Sequence, residues 1–316
     1  MQLKQSPEDF IVEERINLKI EPGPYTYLKI TKRNWNTEEV ATFLVRKLNL
    51  PRKNINYAGL KDKKALTTQY FSILNMPQRE MDNPDLTIEI VGTGKQAIQL
   101  GDLLGNKFRI RVEHLLPKMD FLINYFGEQR FSKNNVAIGK AILKKDWKQA
   151  CELIDDEKIN QALHKEPTNT LGALTTLDKR MLSLYLHAVQ AEIWNQTVVK
   201  LIKKEKHIED QELCFIEKKK EFDTLPLLSF ETDLESCPYK EELKQTIKEM
   251  EITQKDFITR SIPGILPTSS ERSIYIPITE WKQENNWVEF FLPKGSYATM
   301  VIRQGESFLK AQKKER

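Results

Sequence analysis

A chain of 316 residues, 40% hydrophobic and 30% charged, is long enough for two domains and apolar enough for a packed core, which excludes extended disorder. Its 49 Lys and Arg against 45 Asp and Glu leave a net charge of +4, a surplus that is compatible with a polyanionic partner without requiring one. Cys151, Cys214 and Cys237 form neither a disulfide framework nor a metal-binding Cys pair, and no apolar run could span a bilayer or act as a secretory signal, so a cytoplasmic protein away from membranes is expected.

From the start to about Leu116 the pattern is of strands and tight turns. Phe10-Ile11-Val12 opens an extended stretch, and Tyr25 to Ile30 alternates, with Leu28 and Ile30 sharing one face. Asn36 or Thr37 can cap a helix whose first turn carries Glu38 and Glu39. Val40, Phe43, Leu44 and Leu48 line one side of that helix, and Pro51 ends it. Strands are predicted at 55–57, 70–74, 86–91 and 108–112, with Gly92, Gly94, Gly101 and Gly105 marking turns between them. From about Val136 to Met250 the pattern becomes helical. One long segment is predicted over 177–204, and a second apolar stripe is formed by Tyr239, Leu243, Ile247 and Met250. Strands return at 274–278, 287–292 and 297–302, and Lys310 to Arg316 reads as a solvated tail. A strand-rich start and end around a helical middle predicts an α+β fold in which one domain is interrupted by a second.

Familiar cofactor sites are missing from the sequence. Gly92-Thr93-Gly94-Lys95 lacks the spacing of a phosphate loop, and His114, His164, His187 and His207 are scattered without metal-binding intervals. The segment Tyr57-Ala58-Gly59-Leu60-Lys61-Asp62-Lys63-Lys64-Ala65 runs from a strand into a turn and presents one carboxylate among three lysines. Nearby positive charge favours the ionised form of Asp62, and an ionised Asp held in a pocket can act as a nucleophile. Taken alone, such a loop is more often just a solvated charged turn.

Its context points further. Gly59-x-Lys61-Asp62-x-x-Ala65-x-Thr67-x-Gln69 resembles the loop around the catalytic Asp of TruD-type tRNA pseudouridine synthases. Four more segments are similar to that family in the same order. They are Lys4-x-x-Pro7-Glu8-Asp9-Phe10-x-Val12-x-Glu14, then Leu100-Gly101-x-Leu103-x-Gly105-Asn106-x-Phe108, then Asn124 to Phe131, and finally Leu292-Pro293-x-Gly295-Ser296-Tyr297-Ala298-Thr299. Gln190-Ala191-Glu192-Ile193-Trp194-Asn195 also looks like a family helix, whereas Ser132 stands where the family carries a Gly.

The resemblance implies a cofactor-free, metal-free isomerase acting on tRNA, with U13 as the family's usual bacterial target. Asp62 would be its nucleophile, attacking C1′ of the ribose or C6 of a flipped-out uracil. It implies a mixed, mostly antiparallel catalytic domain formed by residues 1–150 and 272–316, with a helix-rich TRUD domain inserted at 151–271. Phe10, Asn124 and Tyr297 match positions that contact the substrate, and Lys4, Lys61 and Arg130 are candidate partners for the Asp62 carboxylate or for phosphates. Two other readings are a non-catalytic tRNA-binding or tRNA-folding module of the same fold, and an aspartate-nucleophile glycosylase that releases the base.

Overall fold

In the computed structural model, which describes residues 6–131 and 134–314, the alternating segments of the sequence form one sheet of eight strands. Lys4 and Ser132 lie outside the described residues. The strands are β1 (Phe10–Ile16), β2 (Tyr25–Arg33), β3 (Ile55–Tyr57), β4 (Leu66–Leu74), β5 (Leu86–Gly94), β6 (Leu103–Arg111), β7 (Thr279–Glu284) and β8 (Trp287–Pro293). Their order is β7-β8-β6-β1-β4-β2-β5, with β3 also on β4. The pair β1 and β4 is parallel and the other pairs are antiparallel, so the sheet is mixed and mostly antiparallel as expected.

Register places a row of side chains across five strands on one face: Lys32 beside Thr67, Thr67 beside Val12, Val12 beside Phe108, and Phe108 beside Phe290. Helix α1 (Thr37–Leu48) covers the β2–β4 end of that face. Asn36 caps it, accepting from the Glu39 amide at 2.8 Å, while the Glu39 carboxylate closes the box on the Asn36 amide at 2.7 Å. Val40, Ala41, Leu44 and Leu48 then pack on Leu28, Ile30, Phe71 and Ile73, all of them buried. Burial of each such aliphatic side chain is worth about 1.5–3 kcal/mol, which fixes the helix against the sheet.

The glycines depart from the turn positions expected of them. Gly92, Gly94 and Gly105 lie inside β5 and β6 rather than between strands. At Gly105 the reason is close approach, because a Cβ there would sit 2.1 Å from the Leu292 carbonyl oxygen of the neighbouring strand β8. Of these four, Gly101, with φ +94°, makes a turn that needs the left-handed region.

The chain divides into two compact units, Met1–Leu122 with Ile276–Ala298, and Ile123–Tyr275 with Thr299–Arg316. The first is the sheet unit with α1. The second holds α2 (Asn135–Leu143), α3 (Trp147–Leu153), α4 (Glu157–Lys165), α5 (Thr170–Leu174), α6 (Lys179–Lys203), α7 (Lys240–Glu249) and nearly all of α8 (Ala298–Lys314). This division falls at 122/123 and 275/276, a wider span than the 151–271 expected for an inserted segment. The difference arises because α2 seats closely on α6: a Cβ on Gly139 would lie 2.2 Å from the Tyr185 carbonyl oxygen. Helix α8 corrects two expectations at once. Residues 298–302 begin a helix rather than completing a strand, and Lys310 to Lys314 belong to its last turns rather than to a loose tail.

Candidate active site

The loop between β3 and β4 carries Asp62, and the sheet unit holds that loop from below. The Gln69 amide on β4 donates to the Gly59 carbonyl at 3.4 Å, and Gln69 Oε1 accepts from Thr37 Oγ1 at 2.9 Å. Thr37 Oγ1 in turn accepts the Lys61 amide at 2.8 Å. The first residue of α1 and a β4 side chain therefore fix the main chain on the N-terminal side of Asp62. Asp62 itself is exposed at the top of the loop.

Lys61, one of the expected partners for the nucleophile or for phosphates, is engaged by another carboxylate. Its ammonium makes a buried ion pair with Glu14 Oε2 at 2.5 Å, and Glu14 Oε1 also accepts the Tyr70 amide at 3.2 Å. A buried pair with further hydrogen bonds is a structural clamp, and removing one partner typically costs about 3–5 kcal/mol. Lys63 pairs with Glu39 at 2.6 Å on the surface.

Lys32 was missed by sequence reasoning. It is 0% exposed, and its Nζ donates to the carbonyl oxygens of Trp35 and of Asp62, the latter at 3.1 Å. Burial pushes its ammonium down to about 8, repulsion from Lys61 acts in the same direction, and the carboxylates of Asp62 and Glu39 oppose both. The signal was present in the sequence, since Lys32 is in phase with Leu28 and Ile30 and so belongs to the inward face of β2.

The proposed substrate contacts divide between the two units. Phe10 and Tyr297 lie in the sheet unit with Asp62 and Lys61, and Asn124 and Arg130 lie in the second. Phe10 is 4% exposed, and its ring meets Phe108 edge-on at 6.1 Å between centroids. Tyr297 is half-buried just before α8. The turn leading to it is pinned to the sheet by the Lys294 amide, which donates to the Leu104 carbonyl at 3.1 Å, and it turns at Gly295 with φ +82°.

In the second unit Asn124 is buried, and Arg272, also missed, explains how a polar residue is held there. Arg272 Nη2 donates to Asn124 Oδ1 and to its carbonyl oxygen, each at 2.7 Å, while Asn124 Nδ2 donates to the Ser273 carbonyl at 3.1 Å. The Arg272 guanidinium also lies 3.9 Å from the centre of the Phe126 ring, a cation–π stack. Asn195 grips Phe126 from α6, accepting its amide at 2.9 Å and donating to its carbonyl at 3.0 Å. Trp194 Nε1 donates to the Leu225 carbonyl at 3.1 Å. The Trp194-Asn195 pair thus staples the Asn124–Phe131 segment in place. Arg130 lies 5.8 Å from the Phe126 ring, on the same segment.

One grouping of metal-ligand types occurs among the described residues. His207, Glu209 and Cys214 bring their ligand atoms within 4.8 Å of one another. Glu209 is already paired with Lys203 at 3.6 Å, and burial raises the Cys214 thiol, which disfavours the thiolate that a metal would need. No helix among the described residues is long and apolar enough to cross a membrane.

A sheet that offers a clamped aspartate loop, with aromatic and amide-bearing segments at the sequence positions described above, has close counterparts among isomerases that act on tRNA uridines. The model of the family "tRNA pseudouridine synthase D (TruD)" matches residues 1–157 and 205–304, and the chain belongs to that family of pseudouridine synthases. The unmatched stretch, 158–204, contains α6 and with it the Gln190–Asn195 segment. A Methanocaldococcus jannaschii protein, "Probable tRNA pseudouridine synthase D 2", is 29% identical across 100% of this chain and 94% of its own length. A Thermoplasma volcanium protein, "Probable tRNA pseudouridine synthase D", is 27% identical across 96% of this chain and 93% of its own length. The crystal structure of a Methanosarcina mazei protein that carries the name tRNA pseudouridine synthase D (TruD) superposes with a TM-score of 0.72 over 96% of this chain and 93% of that one. At 24% identity that last likeness speaks for the α+β fold.

Proposed function

We propose that this enzyme converts U13 of tRNA to pseudouridine, with Asp62 as the nucleophile and no cofactor. In the reaction the N1–C1′ glycosidic bond breaks, a C5–C1′ bond forms, the C5 proton leaves and N1 gains one, so that product and substrate are isomers. Asp62 enters by attack at C1′ or at C6, and the same carboxylate leaves when the new bond is made. The observation that carries this reading is the loop itself: an exposed carboxylate on a main chain anchored by Thr37, Gln69 and Lys32. A flexible charged turn would have none of these anchors.

Substrate contacts follow the same reading. The Asn124 amide uses one N–H on Ser273 and one acceptor site on Arg272. It keeps one donor and one lone pair, which match the imide edge of a uracil. Tyr297 offers ring surface for a base that has left its stack, and Arg130 and Lys4 are proposed phosphate contacts. Phe10 contributes through the aromatic cluster in which it is set.

Asp62→Asn tests the assignment, because it keeps size and hydrogen-bonding reach while removing the charge and the nucleophilic oxygen. Pseudouridine formation in an unmodified tRNA transcript should be abolished, with tRNA affinity and melting temperature close to wild type. Wild-type turnover by the variant would overturn the nucleophile. Release of free uracil by the unaltered protein would identify a glycosylase instead, and tRNA binding without either product would identify a binding module.

A further inference from the structure

We propose that Lys32 is a positioning residue for the reaction at Asp62, fixing the main chain of the catalytic loop and keeping a positive charge within electrostatic reach of its carboxylate. The proposal rests on Asp62 being the nucleophile.

The position is unfavourable for folding alone. Lys32 continues the inward row of Leu28 and Ile30, where an apolar side chain would pack without desolvating a charge. Its two hydrogen-bond acceptors are main-chain carbonyls and not a carboxylate, so its charge is solvated by the backbone but not cancelled by a direct ion pair. The two lysines beside Asp62 in sequence differ in this respect, since Lys61 is committed to Glu14 and Lys63 to Glu39.

The acceptors themselves show what the residue ties together. Trp35 immediately precedes the Asn36 cap of α1, and Asp62 is the top of the loop. One ammonium therefore joins the start of the helix to the carbonyl of the reacting residue. A carbonyl held in this way restricts rotation of the Asp62 backbone, and with it the direction in which the carboxylate leaves the chain. The charged groups acting on Lys32 are Lys61 and Asp62 from the loop and Glu39 from α1. Of these, Asp62 is the one whose chemistry the ammonium can influence directly, by favouring its ionised form. Misplacing a reacting group by about 1 Å can cost on the order of 100-fold in rate, so a positioning role predicts a large effect on turnover.

The experiment compares full-length wild type, Lys32→Met, Lys32→Gln and Asp62→Asn on an unmodified tRNA transcript, reading kcat, KM and melting temperature for each. Lys32→Met removes charge and donors, while Lys32→Gln keeps a neutral donor. Lys32→Met should lose on the order of 100-fold in kcat with KM changed by less than about threefold, and Lys32→Gln should fall between it and wild type. Wild-type kcat in a folded Lys32→Met or Lys32→Gln protein would overturn the proposal, as would a loss that merely follows the folded fraction. Should neither variant fold, the wild-type pH profile decides: kcat should fall as the pH rises through about 8, where Lys32 gives up its proton. A profile that stays flat to about pH 9 would overturn the proposal. An active Asp62→Asn protein removes the premise, whereas an inactive Asp62→Asn beside a normal Lys32→Met removes the Lys32 role alone.

Discussion

Polar residues placed in phase with apolar ones define this site. Glu14 follows Phe10 and Val12 on the inward face of β1, Lys32 follows Leu28 and Ile30 on β2, and Gln69 precedes Phe71 and Ile73 on β4. Each is buried, and each faces the Asp62 loop or the start of α1. For Lys32 the energetic consequence has a definite sign. Its folded pKa of about 8 lies below the ordinary value of 10.5, so above about pH 8 the unfolded chain holds more protons at this residue than the folded one. The penalty for the buried charge is complete below about 8 and is relieved as the pH rises toward the ordinary lysine value. Relative to Lys32→Met, wild type should therefore gain up to about 3 kcal/mol of unfolding free energy between these limits, as measured by urea titration at a series of pH values. A constant difference would show that Lys32 keeps its ordinary pKa and stays protonated in the folded protein over this range. The two aromatic candidates separate in the same way. Phe10→Ala empties a packed position and should cost about 3–5 kcal/mol of stability, losing activity mainly through unfolding. The half-buried Tyr297→Ala should leave the melting temperature within a few degrees and lower turnover per folded molecule, by an amount equivalent to about 1–3 kcal/mol of lost stacking. Equal stability losses in the two variants would place Tyr297 in the core instead.

At the scale of elements, much of the sheet unit was legible because its strands are amphipathic on a period of two and α1 carries a complete capping box. Periodicity gave the faces of β2 and α1 correctly, down to Leu28, Ile30, Val40, Leu44 and Leu48. What escaped it was long-range. Glycines inside strands look like turn glycines until the neighbouring strand is known, and Gly105 is required by the Leu292 carbonyl, nearly two hundred positions away. Helix α8 was hidden because Thr299, Val301 and Ile302 favour strands locally. Its true period emerges only with buried Gln304, Ser307 and Phe308 further on. The Asp62 loop, with Gln69 and Glu14, is legible through its motifs, but Lys32 and the anchoring contacts are not, because a single lysine or glutamate in a strand is ordinarily solvent-facing. The phase of Lys32 and Glu14 against their neighbours was the readable clue. Arg272 left no such trace, since its partners Asn124 and Phe126 are distant in sequence and a lone arginine in a polar stretch has no periodicity to violate.

For the whole molecule, the boundary between the two folding units decides which part can stand alone. We propose that the second unit is an insertion into the first, and two excisions discriminate between the possible boundaries. Within the sheet unit the chain near its exit and the chain near its return are hydrogen-bonded, the Ile278 amide donating to the Asp120 carbonyl at 3.1 Å. Joining Leu122 to Ile276 with a few glycines and ending at Ala298 therefore closes a short gap and leaves the eight-stranded sheet and α1 intact. Joining Ala150 to Arg272 instead keeps α2 and the first four residues of α3, Trp147 to Ala150, while deleting α6. It would expose Ile138, Ile142 and the surface around Gly139, which in the full chain sits against the Tyr185 carbonyl. Exposed aliphatic surface of that kind promotes association and weakens cooperativity. The first deletion should accordingly give a monomer with a single cooperative melting transition, and the second a protein that aggregates or melts broadly. Neither should form pseudouridine, because Asn124 is lost from the first and Arg272 loses its Trp194 neighbour in the second. A cooperative, monomeric product from the 150–272 junction together with an unfolded one from the 122–276 junction would place the boundary at 151–271.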